Sequence, residues 1–136
     1  MKYSVAIHKE EGTAFGVSVP DVEGCFSYGD TLEEALINAN KAISSHLEIL
    51  AEDGVLAPES KSVDEHFNNP DYAGAIWGFV DVDTSAFLGK TEKATVTLPK
   101  LLITRIDAVV ATGSAKSRSA FLAESAAKEL NRYVHP

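Results

Sequence analysis

The groups in this sequence most suited to chemistry are its carboxylates. Asp21, Asp30, Asp81 and Asp83 are of the residue type that holds divalent metal in a nuclease, where several carboxylates must converge on the ion. Their spacing argues against convergence. Asp30 precedes a helical pattern as a cap would, and Asp21 lies in a turn. Only Asp81 and Asp83, either side of Val82 at a strand end, point to one side. The histidines His8, His46, His66 and His135 stand at no metal-binding spacing and beside no nucleophile motif. They read as structural. Cys25 is the only cysteine, so an internal disulfide and a cysteine-based zinc site are both excluded. Its expected role is that of a small buried hydrophobe. No glycine-rich phosphate loop or cofactor fingerprint occurs. The expectation is a protein with no catalytic residue, no metal and no cofactor.

Charge is distributed unevenly. The 136 residues carry a net charge of −8. Residues 1–89 hold four lysines against sixteen acidic residues, a net of −12, whereas residues 90–136 hold eight basic against four acidic, a net of +4. Such asymmetry implies that the two parts face different partners. The basic part suits a polyanion; the acidic part would repel one. No apolar run approaches the roughly 18 residues of a membrane span, and Met1–Val5 lacks the apolar core of a secretory signal. A cytoplasmic location is expected.

The elements that must position these groups follow from periodicity. Tyr3, Val5 and Ile7 alternate with Lys2, Ser4, Ala6 and His8, which predicts a half-buried strand. Phe15, Val17 and Val19 repeat the pattern until Pro20, and Cys25–Tyr28 gives a short third strand. A helix follows, with Asp30 and Glu33 or Thr31 and Glu34 as its capping box. Leu32, Leu36, Ala39, Ile43, Leu47 and Leu50 form its apolar stripe, and Gly54 its C-terminal cap. The polar stretch from Ala57 to Asn69 reads as loop with a short turn near Val63–Phe67. Ala75–Val82 reads as a fourth strand, with Trp77 and Phe79 buried on one face. The first unit is therefore β-β-β-α-β, an α+β layer.

The second unit has one strand, Lys93–Leu98, and two helices. Leu101, Leu102, Ile106, Val109 and Val110 stripe the first, from Pro99 to a cap at Gly113. Ser117 caps the second, and Asn131–Pro136 is expected to fray. A lone strand leaves its backbone groups unpaired, and two short helices cannot close a core by themselves. Two copies that pair their strands antiparallel solve both problems and form a two-fold dimer.

This order of strand, proline, helix, glycine and Ser-Arg-Ser resembles the ribbon-helix-helix repressors over roughly residues 92–134. The resemblance implies a paired ribbon in the DNA major groove. Ala94, Val96 and Leu98 would face the dimer core. Lys93, Thr95 and Thr97 would face base edges, lysine donating to guanine and threonine bonding a base edge or touching a thymine methyl. Ser117, Arg118 and Ser119, at a helix start, would meet phosphate.

Residues 1–83 resemble the N-terminal domain of the HicB antitoxins. The likeness rests on Met1-Lys2-Tyr3, on Val17 to Cys25 (VSVPDVEGC) and on Gly29 to Ala35 (GDTLEEA). The resemblance implies a partial ribonuclease-H-like fold that binds and blocks a HicA-type toxin, a small basic RNA-cleaving protein. Residues 84–91 would link it to the ribbon-helix-helix domain at 92–134. The whole would be an autorepressing antitoxin on palindromic or tandem operator half-sites in double-stranded DNA, as a homodimer or tetramer. No toxin-contacting residue is assigned, because the motif residues read as turns and a cap. The alternative is a stand-alone ribbon-helix-helix repressor whose N-terminal domain senses a ligand.

Overall fold

The computed structural model describes residues 1–134. Strands β1 (Lys2–His8), β2 (Phe15–Ser18) and β3 (Phe26–Gly29) precede helix α1 (Leu32–Glu52) and strand β4 (Ile76–Asp81). Helices α2 (Lys100–Ala111) and α3 (Arg118–Val134) complete the chain. It divides into two compact units, Met1–Gly89 and Lys90 onward. The expected α+β class and the β-β-β-α-β order of the first unit are both found.

The first unit is one antiparallel sheet in the order β3-β2-β1-β4, with α1 across one face. Tyr3, Val5 and Ile7 of β1, Val17 of β2 and Val80 of β4 meet Ala35, Ala39, Ile43 and Leu47 of α1 in the core. The helix seats on β3 through its smallest residues. A Cβ at Gly29 would lie 2.3 Å from the Ala35 nitrogen, and Ser27 Oγ donates to the Ala35 carbonyl at 3.1 Å. This close approach sets the rotation of α1, so Ala35 is buried while Leu32, expected in the stripe, is exposed.

Of the two capping frames open to the sequence, the chain adopts the second. Thr31 Oγ1 accepts from the Glu34 N–H at 3.1 Å, and Asp30 lies outside the helix. Glu33 and Glu34 place negative charge at the positive end of the helix dipole. Gly54, at φ +76°, takes the left-handed conformation that ends α1.

Two expectations for the sheet are corrected. β1 is buried on both faces, not one: Ser4 and Ala6 are as enclosed as Tyr3 and Val5, on the face where the 63–72 segment packs against Trp77 and reaches Asp21. Trp77 and Phe79 are not buried together. They share the face turned away from α1 on an edge strand. Rings of the 63–72 segment pack against Trp77, and Phe79 stays exposed.

In the second unit the expected strand over 93–98 is absent: these residues pair with nothing in the single chain. A strand needs a neighbour for its N–H and C=O groups, and one copy of this unit has none to offer. The expected fraying from Asn131 does not occur either. α3 continues to Val134 with Asn131 buried, while His135 and Pro136 lie outside the described residues. The segment Thr84–Phe87, expected within the linker, forms a 3₁₀ turn, and Phe87 packs on the core of the first unit.

Candidate functional site

The surface expected to contact DNA belongs to the second unit. Pro99 precedes α2 at φ −56° and ψ 140°, an extended conformation that turns the chain from the 93–98 segment into the helix. Lys93, Thr95 and Thr97 are all exposed. Of the residues expected to oppose them, Ala94 is exposed, Val96 is 62 % exposed and Leu98 is partly buried. Leu101 at 71 % and Leu102 on α2, with Leu130 and Tyr133 on α3, present further apolar area to solvent. Among the described residues of this unit only Ile106 and Asn131 are buried. Two helices and a segment that leave this much apolar surface outside have not closed a core.

Ser117, Arg118 and Ser119 come together at the start of α3. Ser117 Oγ accepts from the Ala120 N–H at 3.0 Å, and its carbonyl accepts from Phe121. The Ser117 hydroxyl is thus a helix cap. Arg118 reaches across to α2, where its fork holds both oxygens of Asp107. That hydrogen-bonded pairing holds the Asp107 carboxyl below its ordinary range and raises the Arg118 guanidinium. The sequence reading missed Asp107 as a partner. Its signal was the opposite charge eleven residues upstream, invisible without the α2–α3 crossing.

In the first unit the acidic residues are dispersed. Asp81 Oδ1 is 3.4 Å from the N-terminal amine. Asp83 Oδ1 accepts from the Ser85 backbone and hydroxyl, capping the 84–87 turn. Asp21 is the exception to its reading as a plain turn residue. It is nearly buried, accepts from the Lys61 N–H at 2.8 Å and contacts His66 Nε2 at 2.9 Å. His66 stacks on Trp77 with ring centroids 6.0 Å apart, and Tyr72 meets the same indole edge-on. These contacts pin the 57–75 segment to the face of the sheet turned away from α1, where Trp77 lies. Burial first, and the Asp21 charge second, push the Tyr3 hydroxyl up to about 12, and that hydroxyl donates to Pro58 O at 2.6 Å. His46 Nδ1 lies 2.9 Å from the Ala42 carbonyl within α1. Cys25 is buried, and that burial lifts its thiol to about 11. No group of three His, Cys, Asp or Glu able to hold a metal ion is found among the described residues.

The face of the sheet turned away from α1 is the other prominent feature. Cross-strand pairs share a face, so Phe26, Ser18, Ala6 and Trp77 form one row across it. Tyr28, Gly16 and His8 form a second, and Ser4 with Phe79 a third. Small residues occupy the middle and aromatic ones the two edge strands. Phe26, Tyr28 and Phe79 are 60 %, 70 % and 61 % exposed.

Comparison with known proteins places this chain among antitoxins. The family described as the HicB_like antitoxin of bacterial toxin-antitoxin system matches residues 3–126. An uncharacterised 14.9 kDa protein of the rep-hol intergenic region of Haemophilus phage HP1 is 45 % identical, the match covering 96 % of this chain and 98 % of that one. The crystal structure of the Burkholderia pseudomallei antitoxin HicB is 40 % identical at a TM-score of 0.80, covering 96 % of this chain and 99 % of that one. A chain of a HicA3 and HicB3 toxin-antitoxin complex is 32 % identical at a TM-score of 0.51, covering 61 % of this chain and 99 % of that one. No helix among the described residues is long and apolar enough to cross a membrane.

Proposed function

The chain belongs to the HicB-like antitoxins of bacterial toxin-antitoxin systems, and we propose that its first unit neutralises a HicA-type, RNA-cleaving toxin while its second unit binds operator DNA and represses its own operon. It acts without catalysis of its own, in the cytoplasm, where both the toxin and the DNA lie.

The observation that carries the DNA half is the unfinished core of the second unit. Val96, Leu101, Leu102 and Leu130 are exposed, and the 93–98 segment pairs with nothing. Two copies set antiparallel give that segment a ladder partner and cover those side chains. In the resulting ribbon Thr95 and Lys93 alternate with Ala94 and Val96, so one face meets base edges while the other is buried. Ser117, Arg118 and Ser119 sit where α3 presents its first N–H groups, a position suited to phosphate. The net +4 of residues 90–136 supports such a contact.

The toxin half is supported by the complex of HicA3 with HicB3, whose matched chain is 32 % identical to this one. The net −12 of residues 1–89 suits a cationic partner and would speed its encounter.

The test is rescue. The small basic protein encoded beside this gene is expressed alone and with this chain, and growth and mRNA integrity are followed. Growth arrest with mRNA cleavage, relieved by co-expression, is the expected result. Absence of toxicity, or toxicity that the folded chain does not relieve, leaves a stand-alone repressor with a sensing N-terminal unit as the better reading.

A further inference from the structure

We infer that the toxin adds a strand to the outer edge of β4, hydrogen-bonding to the main chain of Trp77 and Phe79. This rests on the antitoxin reading and assigns it a surface. The edge follows from the register. The Val82 N–H donates to the Met1 carbonyl at 2.9 Å. In an antiparallel pair, residues that exchange hydrogen bonds alternate with residues that do not. Ile76, Gly78 and Val80 therefore bond to β1, while the N–H and C=O groups of Trp77, Phe79 and Asp81 point outward. The Asp81 carbonyl agrees with this, since it accepts from Asn40 Nδ2 of α1 at 3.0 Å. Among the described residues no strand pairs with that side of β4.

An edge of this kind is a template for another strand. Proteins that keep one bare shorten it, kink it with a bulge, or place lysine or proline on it. β4 has none of these devices. It is six residues long, IWGFVD, and its pairing with β1 runs unbroken from Ile76 to Asp81. Its apolar side chains point the same way. Ile76 is 67 % exposed and Phe79 61 %, and the two lie on opposite faces of the strand. An element laid on one face would cover only one of them. A strand alongside, with side chains alternating to both faces, reaches both. The 63–72 segment keeps its place on Trp77, because an added strand lies in the plane of the sheet. The opposite edge is the poorer template: β3 has four residues, and its Tyr28 carbonyl already accepts from Asn38 Nδ2 at 2.8 Å.

Charge selects the occupant. From Ile76 to Val80 the edge carries no charge, and a carboxylate stands near each end. Asp71 lies in the turn before β4; Asp81 ends the strand with its side chain 71 % exposed, 3.4 Å from the N-terminal amine. A second copy paired antiparallel through the same edge would turn its Asp71 end toward the Asp81 end of the first, and would bring another −12 overall. A strand from a cationic protein meets the opposite sign at both ends.

The experiment uses the full chain and the small basic protein encoded beside this gene. Amide hydrogen exchange is followed residue by residue, by nuclear magnetic resonance, in the chain alone and in the complex. Trp77 and Phe79 should exchange fast in the chain alone and slow by at least about 100-fold in the complex, while Gly78 and Val80, bonded to β1, are protected in both. Affinity is then measured for Phe79→Pro and Phe79→Ser, with circular dichroism confirming each fold. Proline deletes the outward N–H at a position where an edge strand tolerates it; serine keeps the N–H and deletes only the ring. The proline variant is expected to lose at least about 30-fold in toxin affinity and the serine variant less than about tenfold. Equal losses in the two folded variants, or exchange at Trp77 and Phe79 unchanged by the toxin, overturn strand addition while leaving the antitoxin reading intact. The exchange result decides by itself if the proline variant does not fold. Protection of those amides in the chain alone, rising with its concentration, overturns the choice of occupant and assigns the edge to a second copy. If the wild-type chain itself fails to bind the basic protein, the antitoxin reading falls first and the surface with it.

Discussion

Arg118 closes its guanidinium fork on Asp107, with Nε 3.1 Å from Oδ1 and Nη2 2.7 Å from Oδ2. Both side chains are about half exposed. A carboxylate on α2 therefore occupies the place, beside the first residue of α3, that the proposed DNA contact gives to a phosphate. Its bidentate geometry puts it among the stronger exposed pairs, but half exposure leaves it screened by salt and open to competition from another anion. Asp107→Asn removes the competitor and one negative charge. Operator binding should tighten, and the slope of log affinity against log salt should steepen by up to about one unit per chain. Titration of the operator at several salt concentrations checks this; weaker binding would instead mean that Asp107 positions Arg118.

Thr95 and Thr97 are exposed, in a segment that joins no sheet of the single chain. Replacing both with alanine should weaken operator binding and narrow the gap between specific and random DNA, by about 1–3 kcal/mol for each base-edge interaction removed. The oligomeric state should not change. Unaltered affinity and specificity would remove the ribbon from the DNA interface.

Gly29 is the tightest point of the first unit. A methyl group there would sit 2.3 Å from a backbone nitrogen and 2.7 Å from the Cα of Ala35, and backbone atoms in a helix do not step aside as side-chain ends do. Gly29→Ala should cost at least about 2–3 kcal/mol. Urea unfolding of the wild type and the variant measures it. A loss under about 0.5 kcal/mol would show that α1 can shift on β3.

Alkaline pH should destabilise the first unit. Burial raises the Cys25 thiol from 9.0 to about 11 and the Tyr3 hydroxyl from 10.0 to about 12. The native state then holds its protons more tightly than the unfolded chain. That stabilisation is whole below the ordinary values and is lost as pH climbs from about 9 to 12. The thermal midpoint should fall across this window, and Cys25→Ala should delay the fall to the tyrosine range. At neutral pH the thiol should react with a soluble disulfide reagent only on unfolding.

The sequence alone determined most of what depends on near neighbours, the short turn at Thr84–Phe87 excepted. The four strands of the first unit, the helix with its Thr31–Glu34 box, the stops at Gly54 and Gly113 and the Ser117 cap all follow from alternation, 3.6-residue spacing and local turn chemistry. The family likeness was legible for the same reason, since its motif residues lie in turns and at a helix start. Tertiary structure decided what depends on residues far apart in the chain. Two-residue alternation separates the faces of β4 but does not say which face α1 will cover, and so Trp77 and Phe79 came out on the side away from α1. The close approach of Gly29 to Ala35 chose which side of α1 is buried. Asp21 found His66 forty-five residues away, and Asp107 found Arg118 across a helix crossing. The strand at 93–98 marks the other boundary of local reasoning: its residues suit a strand, but a strand is completed by hydrogen bonds to a neighbour, and one copy of this chain supplies none.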